Sequence, residues 1–189
     1  RNLPVETPTV SVVLCHHYGT SLITRCLDSV FLSQGVQLDV LVITSDKTYQ
    51  DERVRRYFLE DGPAGKRNLG VHYAMSDTIV FLDDDVEISP YALWEAWRWL
   101  SDHPTCGMLF GKIRKMGAMR RRELDDAGSW ITWTGFLWAR AGNHQLDTGQ
   151  FDQPTRCLAS KSATCAVRRQ VFERVGGFDR DYYILGEDT

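Results

Sequence analysis

The stretch Asp77-Thr-Ile-Val-Phe-Leu-Asp83-Asp84-Asp85-Val-Glu-Ile-Ser-Pro90 runs an apolar segment straight into three consecutive carboxylates. Ile79, Val80, Phe81 and Leu82 are β-formers without alternation, the pattern of a strand buried on both faces in a mostly parallel sheet. Ligands of such sheets sit beyond the carboxyl ends of the strands, where Asp83, Asp84 and Asp85 fall. Three adjacent anions repel one another unless they are protonated or neutralised. Hard divalent cations, Mg2+ or Mn2+, take one or two carboxylates and keep positions for substrate phosphates. Ser89 reads as an N-cap with Pro90 at the first helical position, so a helix is expected just past the cluster. A solvated turn ahead of a helix also produces D-x-D. What sets this one apart is the buried-type strand before it and a second acidic element, Gly186-Glu187-Asp188, far downstream.

Upstream, Thr9-Val-Ser-Val-Val-Leu-Cys15 reads as a buried first strand, followed by a His16-His17-Tyr18-Gly19 loop. Leu22, Ile23, Cys26, Leu27, Val30 and Phe31 then recur at helical spacing. Leu38 to Ile43 is a second strand that breaks into the polar loop Thr44-Ser-Asp-Lys-Thr48, so the chain opens with a β-α-β unit. Residues 51 to 60 are charged and are expected to be helical. Asp61-Gly62-Pro63 is a turn, and Ala64 to Met75 a helix feeding the acidic strand. Gly65-Lys66 suggests a phosphate loop, but Glu60 stands where its first glycine belongs and Arg67 where its Ser or Thr belongs. There is no G-x-G-x-x-G either.

Downstream, Leu93, Trp94, Trp97 and Leu100 share one side of a helix expected from Pro90 to about Asp102, a stripe that reads as core. Cys106 to Ile113 reads as a strand. Residues 114 to 155 show little periodicity; Trp130, Trp133 and Trp138 lie there, and packing is expected over display as sugar platforms. Cys157 to Val167 reads as a strand and Arg168 to Val175 as a short helix stopped by Gly176-Gly177. Strands alternating with helices predict an α/β fold, a three-layer sandwich, in one domain over residues 1–189.

A chain of 189 residues, 43% hydrophobic, can bury a substantial core. A net charge of -3 gives no general attraction to nucleic acid or an anionic surface, and Arg120-Arg121-Arg122 reads as a solvated basic run. Five cysteines without C-x-x-C spacing indicate neither a disulfide framework nor a zinc site, which points to a reducing, cytoplasmic setting. No apolar run reaches membrane-span length, so peripheral association at the inner face of a membrane would use segments outside these residues. Arg1 in place of Met, and an end at Thr189 directly after an acidic pair, read as an excised piece of a longer protein.

Three ordered motif groups carry a resemblance. Val10-Ser-Val-Val-Leu14 with Cys26-Leu-Asp-Ser-Val30 is one. Gly62-Pro-Ala-Gly-Lys-Arg67-Asn68-Leu-Gly70, leading to Phe81-Leu-Asp83-Asp84-Asp85, is the second. Val175-Gly-Gly-Phe-Asp179 with Gly186-Glu187-Asp188 is the third. Together they resemble the inverting glycosyltransferases of family 2, with the GT-A, Rossmann-like α/β/α fold and its mostly parallel central sheet. The stretch from Asp126 to Phe136 and the terminal motif look most similar to bacterial rhamnosyltransferase-like members.

The resemblance implies transfer of a sugar from a nucleoside-diphosphate donor to a hydroxyl of a glycan or lipid-linked saccharide, as in polysaccharide biosynthesis. By position it makes Asp83 and Asp85 ligands of Mn2+ or Mg2+, a metal that offsets charge developing on the leaving diphosphate. Asp188 matches the family's general base and Glu187 an acceptor-orienting group. His16, Thr44, Arg67, Asp83 and Asp84 fall where nucleotide-sugar contacts are expected. Two departures stand out: Thr44-Ser45 replace the Asp that reads the base, and Cys15-His16-His17-Tyr18 replaces Pro-x-Tyr-Asn, so the donor base stays open. The rival readings are a sugar nucleotidyltransferase, which would need a Gly-rich basic loop absent from Cys15 to Thr20, and a non-catalytic glycan-binding or scaffold domain.

Overall fold

The computed structural model of the protein describes residues 7–19, 21–117, 122–141 and 144–182. Its centre is a six-stranded sheet. In chain order the strands are β1 (Thr9–His16), β2 (Gln37–Thr44), β3 (Arg55–Phe58), β4 (Thr78–Asp83), β5 (Met108–Phe110) and, after two short hairpins, β10 (Thr164–Arg168). Across the sheet their order is β3-β2-β1-β4-β10-β5. β1 through β4 run parallel, and β10 lies antiparallel to both β4 and β5. Among the described residues four helices cover it: α1 (Ser21–Phe31), α2 (Pro63–Tyr73), α3 (Ala92–Asp102) and α4 (Arg169–Val175).

The non-alternating strands are buried on both faces, as their composition requires. On one face Val10, Val12, Leu14, Val80 and Leu82 pack beneath α1 and α3, through Ile23, Leu27, Leu93 and Leu100. On the other, Val13, Leu41, Ile79 and Phe81 meet Val71 of α2 and Phe172 of α4. Phe81 is fully buried, and burying such a side chain stabilises by roughly 1.5–3 kcal/mol. The outcome is the three-layer α/β/α sandwich.

α2 crosses β1 at unusually close range because Gly70 has no side chain; a Cβ there would stand 2.2 Å from Val13 Cγ1. The end of α2 is tied to the sheet by a buried polar knot. Asp39 accepts hydrogen bonds from Ser11 Oγ at 2.7 Å, Arg55 Nη1 at 2.8 Å and the Met75 amide at 2.8 Å. These partners satisfy a carboxylate that would otherwise be costly to bury.

Two expectations of secondary structure fail here. Residues 51 to 60 are not a helix: β3 occupies 55–58 as the parallel edge strand beside β2. Its charges deceive because an edge strand half faces water; Arg55 turns to Asp39 and Tyr57 stacks on Tyr73, with ring centroids 4.2 Å apart. The second concerns α3, which begins at Ala92 with Tyr91 as N-cap and no side-chain cap, two residues later than Pro90 at the first helical position would have it. The Pro90 carbonyl is drawn to the Gln34 amide at 2.7 Å, which holds residues 89–91 in a turn under the end of α1. The Cys157 to Val167 strand narrows to β10, and the Cys106 to Ile113 strand splits into β5 and the short β6 (Ile113–Arg114).

The segment after β5 forms two small hairpins, β6 with β7 (Leu124–Asp126) and β8 (Ser129–Ile131) with β9 (Leu137–Ala139). Asp126 is buried and anchors them: it accepts from Ser160 Oγ, from the Lys161 amide at 3.0 Å and from the Gly128 amide at 3.2 Å. Trp130, Trp133 and Trp138 are exposed rather than packed, against the sequence expectation. α4 ends as read, on Gly176 in the left-handed conformation at φ 89°.

Candidate active site

β1 and β4 are neighbours whose connections leave in opposite directions, β1 through α1 toward β2 and β4 away toward β10 and β5. The gap beyond their carboxyl ends is the topological switch point, where open α/β sheets bind ligands. His16 ends β1, and Asp83, paired in register with Cys15, ends β4. Asp84 and Asp85 follow in the turn.

The three carboxylates have different surroundings. Asp83 Oδ1 accepts from Arg67 Nη2 of α2 at 3.0 Å, and that guanidinium is almost wholly buried. Burial pushes the Asp83 carboxyl up, Arg67 pulls it down, and Asp85 and Asp84 add to the rise. Asp84 Oδ2 lies 2.8 Å from His16 Nδ1, with the imidazole buried against the ring of Tyr49. A carboxylate accepts, so Nδ1 carries the proton, and Nε2 has no hydrogen-bond partner among the described residues. Asp85 is exposed. With Asp83 it lines a cleft of about 830 Å3, whose wall also carries Glu87, Lys112, Asp125 and Lys161.

α2 supplies the opposite side. Lys66 and Arg67 are both buried on this short helix, which explains its weak apolar stripe: it carries two cations on the face that packs. Lys66 Nζ donates to the His16 carbonyl at 2.8 Å, and burial lowers its pKa. Asn68 makes a two-way bond with the segment that follows α4, donating to the Phe178 carbonyl at 2.8 Å and accepting from its amide at 2.9 Å. The Phe178 ring stacks under Arg67, 5.3 Å from guanidinium to centroid. Arg180 Nη2 reaches Asp61 Oδ2 at 2.6 Å. Residues 176–182 are thereby fastened beside the acidic cluster.

Of the residues singled out from sequence, His16, Arg67, Asp83, Asp84 and Asp85 converge on this one place. Thr44 lies nearby but is fully buried, and its hydroxyl accepts the Asp46 amide at 2.9 Å. Glu187 and Asp188 lie outside the described residues. The sequence reading missed Lys66, Asn68 and the pairing of His16 with Asp84. Lys66 and Asn68 flank Arg67 in one quoted motif, the one signal present; nothing in the spacing links residue 16 to residue 84.

Carboxylate oxygens are the donor type that Mg2+ and Mn2+ prefer, and such ions bind through one or two carboxylates plus substrate phosphates. Asp83 and Asp85 fit that role at the mouth of the cleft. No group of three or more metal-ligating side chains converges among the described residues.

The profile of Glycosyl transferase family 2 matches residues 11–176, spanning both the acidic turn and the Asn68–Phe178 clamp's helix. The chain belongs to that family. Among structures similar to this family 2 domain is residues 1–349 of TarS from S. aureus in complex with UDP, with TM-score 0.66, 17% identity, and coverage of 95% of this chain and 52% of that one. Another is the mannosyltransferase PcManGT from Pyrobaculum calidifontis in complex with GDP-Man and Mn2+, with TM-score 0.60, 20% identity, and coverage of 98% and 50%. These likenesses establish the GT-A fold. A curated relative, the inactive polypeptide N-acetylgalactosaminyltransferase-like protein 5 of Macaca fascicularis, is 22% identical across 100% of this chain and 47% of its own length. The family 2 domain described here thus spans about half the length of these relatives.

Proposed function

We propose that this family 2 domain binds a nucleoside-diphosphate sugar with Mn2+ or Mg2+ and transfers the sugar, with inversion, to a hydroxyl of a glycan or lipid-linked saccharide. The observation that carries this reading is the unequal treatment of the acidic turn. Arg67 and His16 fix Asp83 and Asp84, while Asp85 faces the cleft at the switch point. Asp83 and Asp85 would hold the cation, which supplies charge neutralisation at the departing diphosphate. Arg67 would hold the Asp83 carboxylate in place, and buried Lys66 fixes the backbone at His16, where the nucleotide would lie.

Transfer needs a base opposite the leaving group. We assign it to Asp188, with Glu187 orienting the acceptor. The base takes the hydroxyl proton as that oxygen bonds to the anomeric carbon, and the carbon–oxygen bond to the diphosphate breaks with its electron pair leaving on the phosphate. What supports this assignment is the clamp of Asn68 on Phe178, which fastens the segment preceding Glu187 and Asp188 in sequence to the helix that carries Arg67.

Calorimetric titration with UDP-, GDP- and dTDP-sugars tests the reading: binding of at least one is expected with Mn2+ or Mg2+ and none with EDTA. Asp85→Asn should lose cation-dependent binding, whereas Asp188→Asn should bind donor and fail in transfer. Absence of binding to every donor, with the fold intact, removes the proposal. The non-catalytic reading is decided by the same samples: a scaffold domain hydrolyses no donor in the presence of metal.

A further inference from the structure

We propose that the β8–β9 hairpin is an interfacial finger that seats this domain on an anionic lipid bilayer. From Ser129 to Ala139 the sequence carries no charged residue and six large apolar ones. The tip and one face are open: Trp133 is 97% exposed, Phe136 74%, Trp138 70% and Trp130 43%. Trp130 pairs directly across the ribbon with Trp138, so their rings share one face, and Trp133 and Phe136 lie exposed in the turn that joins the strands. Indole rings of this kind settle at the headgroup level of a bilayer, apolar body inward and N–H toward water.

Two further observations separate a bilayer from other occupants. Thr132 ties together much of the polar inventory of the turn. Thr132 N–H donates to the Phe136 carbonyl at 2.8 Å, the Phe136 amide to Thr132 Oγ1 at 3.0 Å, and the Gly135 amide to the Thr132 carbonyl at 2.9 Å. Thr132 and Thr134 bond each other through their hydroxyls at 2.9 Å. Entry into a less polar phase therefore strips few hydrogen bonds. A saccharide site would instead be concave, with free donors and acceptors converging on the sugar, whereas Trp133 at this tip stands almost wholly in solvent. The charges wait at the base: Arg140, whose side chain is held by the Ala127 carbonyl at 2.9 Å, and exposed Arg156 lie beside Trp130 in the wall of a cavity of about 1260 Å3, and the one carboxylate among the described residues of that wall, Asp152, is paired with Lys112. Apolar tip and cationic base match the order of acyl boundary and anionic headgroup. Among the described residues no helix is long and apolar enough to cross a membrane; the finger would place a membrane contact within these residues, where the sequence reading looked only outside them.

Seating does not depend on the transfer reaction, so its test is separate. The protein is floated with vesicles of phosphatidylcholine containing phosphatidylglycerol, and with phosphatidylcholine alone. Wild type should float with the anionic vesicles, its tryptophan emission should shift to shorter wavelength, and brominated lipid should quench it. The double variant Trp133→Ser, Trp138→Ser should partition about tenfold more weakly, because partition scales with buried apolar area. Arg156→Glu should weaken binding to the anionic vesicles alone. Trp133 is almost fully exposed, so the variant keeps its fold, which circular dichroism verifies. Wild type that stays with neither vesicle overturns the proposal, as does a double variant that floats equally well. So does an emission shift produced by soluble oligosaccharide, or by raising protein concentration, without lipid.

Discussion

His16 Nδ1 lies 2.8 Å from Asp84 Oδ2, joining the end of β1 to the turn after β4 across the switch point of the sheet. The imidazole is almost wholly buried, so the bond forms where water competes little. His16→Phe should therefore lower unfolding free energy by about 1.5–3 kcal/mol, the range for hydrogen bonds to charged groups. His16→Asn, which retains a donor, should recover part of that. Asp85 is exposed, and Asp85→Asn should stay within about 0.5 kcal/mol of wild type. Urea denaturation of the three variants measures this. An Asp85→Asn loss equal to that of His16→Phe would contradict the division of labour within the acidic turn.

The contact of Gly70 with Val13 sets how closely α2 approaches β1. Gly70→Ala places a methyl 2.2 Å from Val13 Cγ1, well inside contact distance. The helix must shift, and a loss of about 1–3 kcal/mol is expected, as for other overpacked cores. Lys66 and Arg67 ride on that helix, so donor affinity should fall with it. Val13→Ala makes room, and the double variant should be more stable than the sum of the single losses allows. A strictly additive double-mutant cycle would mean that the methyl is accommodated elsewhere.

Asn68 holds Phe178 by two hydrogen bonds, and Asn68→Ala removes both. At about 0.5–1.5 kcal/mol for each, the cost should be about 1–3 kcal/mol. Asn68→Asp keeps the acceptor for the Phe178 amide but loses the donor to its carbonyl, so it should fall between. Hydrogen exchange is the direct readout: the Phe178 amide should exchange faster in Asn68→Ala, and the buried strands should not. Equal exchange in both proteins would detach the clamp from residues 176–182.

The strands and helices that build the sandwich were legible because burial on two faces writes continuous apolar runs, as in Val10 to Leu14 and Ile79 to Leu82, and burial on one face writes a helical stripe, as in α1. The acidic turn was legible for a related reason: carboxylates cannot continue a strand buried on both faces, so Asp83 to Asp85 mark where β4 leaves the core. β3 was not, because an edge strand pairs on one side only and its Arg55-Arg56 pair imitates a charged helix. The late start of α3 escaped because a remote amide, that of Gln34, claims the Pro90 carbonyl. His16 with Asp84 and Asn68 with Phe178 are contacts between residues distant in sequence, and local pattern does not encode them. The exposed tryptophans misled in another way: composition records that a residue is apolar, not whether the molecule has any place to bury it.

Tyr49 and Cys26 lie buried together on the α1 side of the sheet, and each has a pKa pushed up to about 12, burial being the main cause. The folded state favours their neutral forms. Starting from their ordinary values of 10.0 and 9.0, the stability they confer is complete below about pH 9 and is lost as pH rises toward 12. Urea midpoints should therefore decline from about pH 9 upward, while iodoacetamide leaves Cys26 unmodified at neutral pH. Tyr49 has a second consequence, since its hydroxyl is buried without a hydrogen-bond partner among the described residues. An unpaired buried hydroxyl costs about 1–3 kcal/mol, so Tyr49→Phe should match or exceed wild-type stability at pH 7. The same variant should flatten the upper part of the alkaline decline, where the phenol of the unfolded chain ionises, and Cys26→Ala should flatten the lower part. A Tyr49→Phe protein clearly less stable than wild type at pH 7 would show that the hydroxyl has a partner after all.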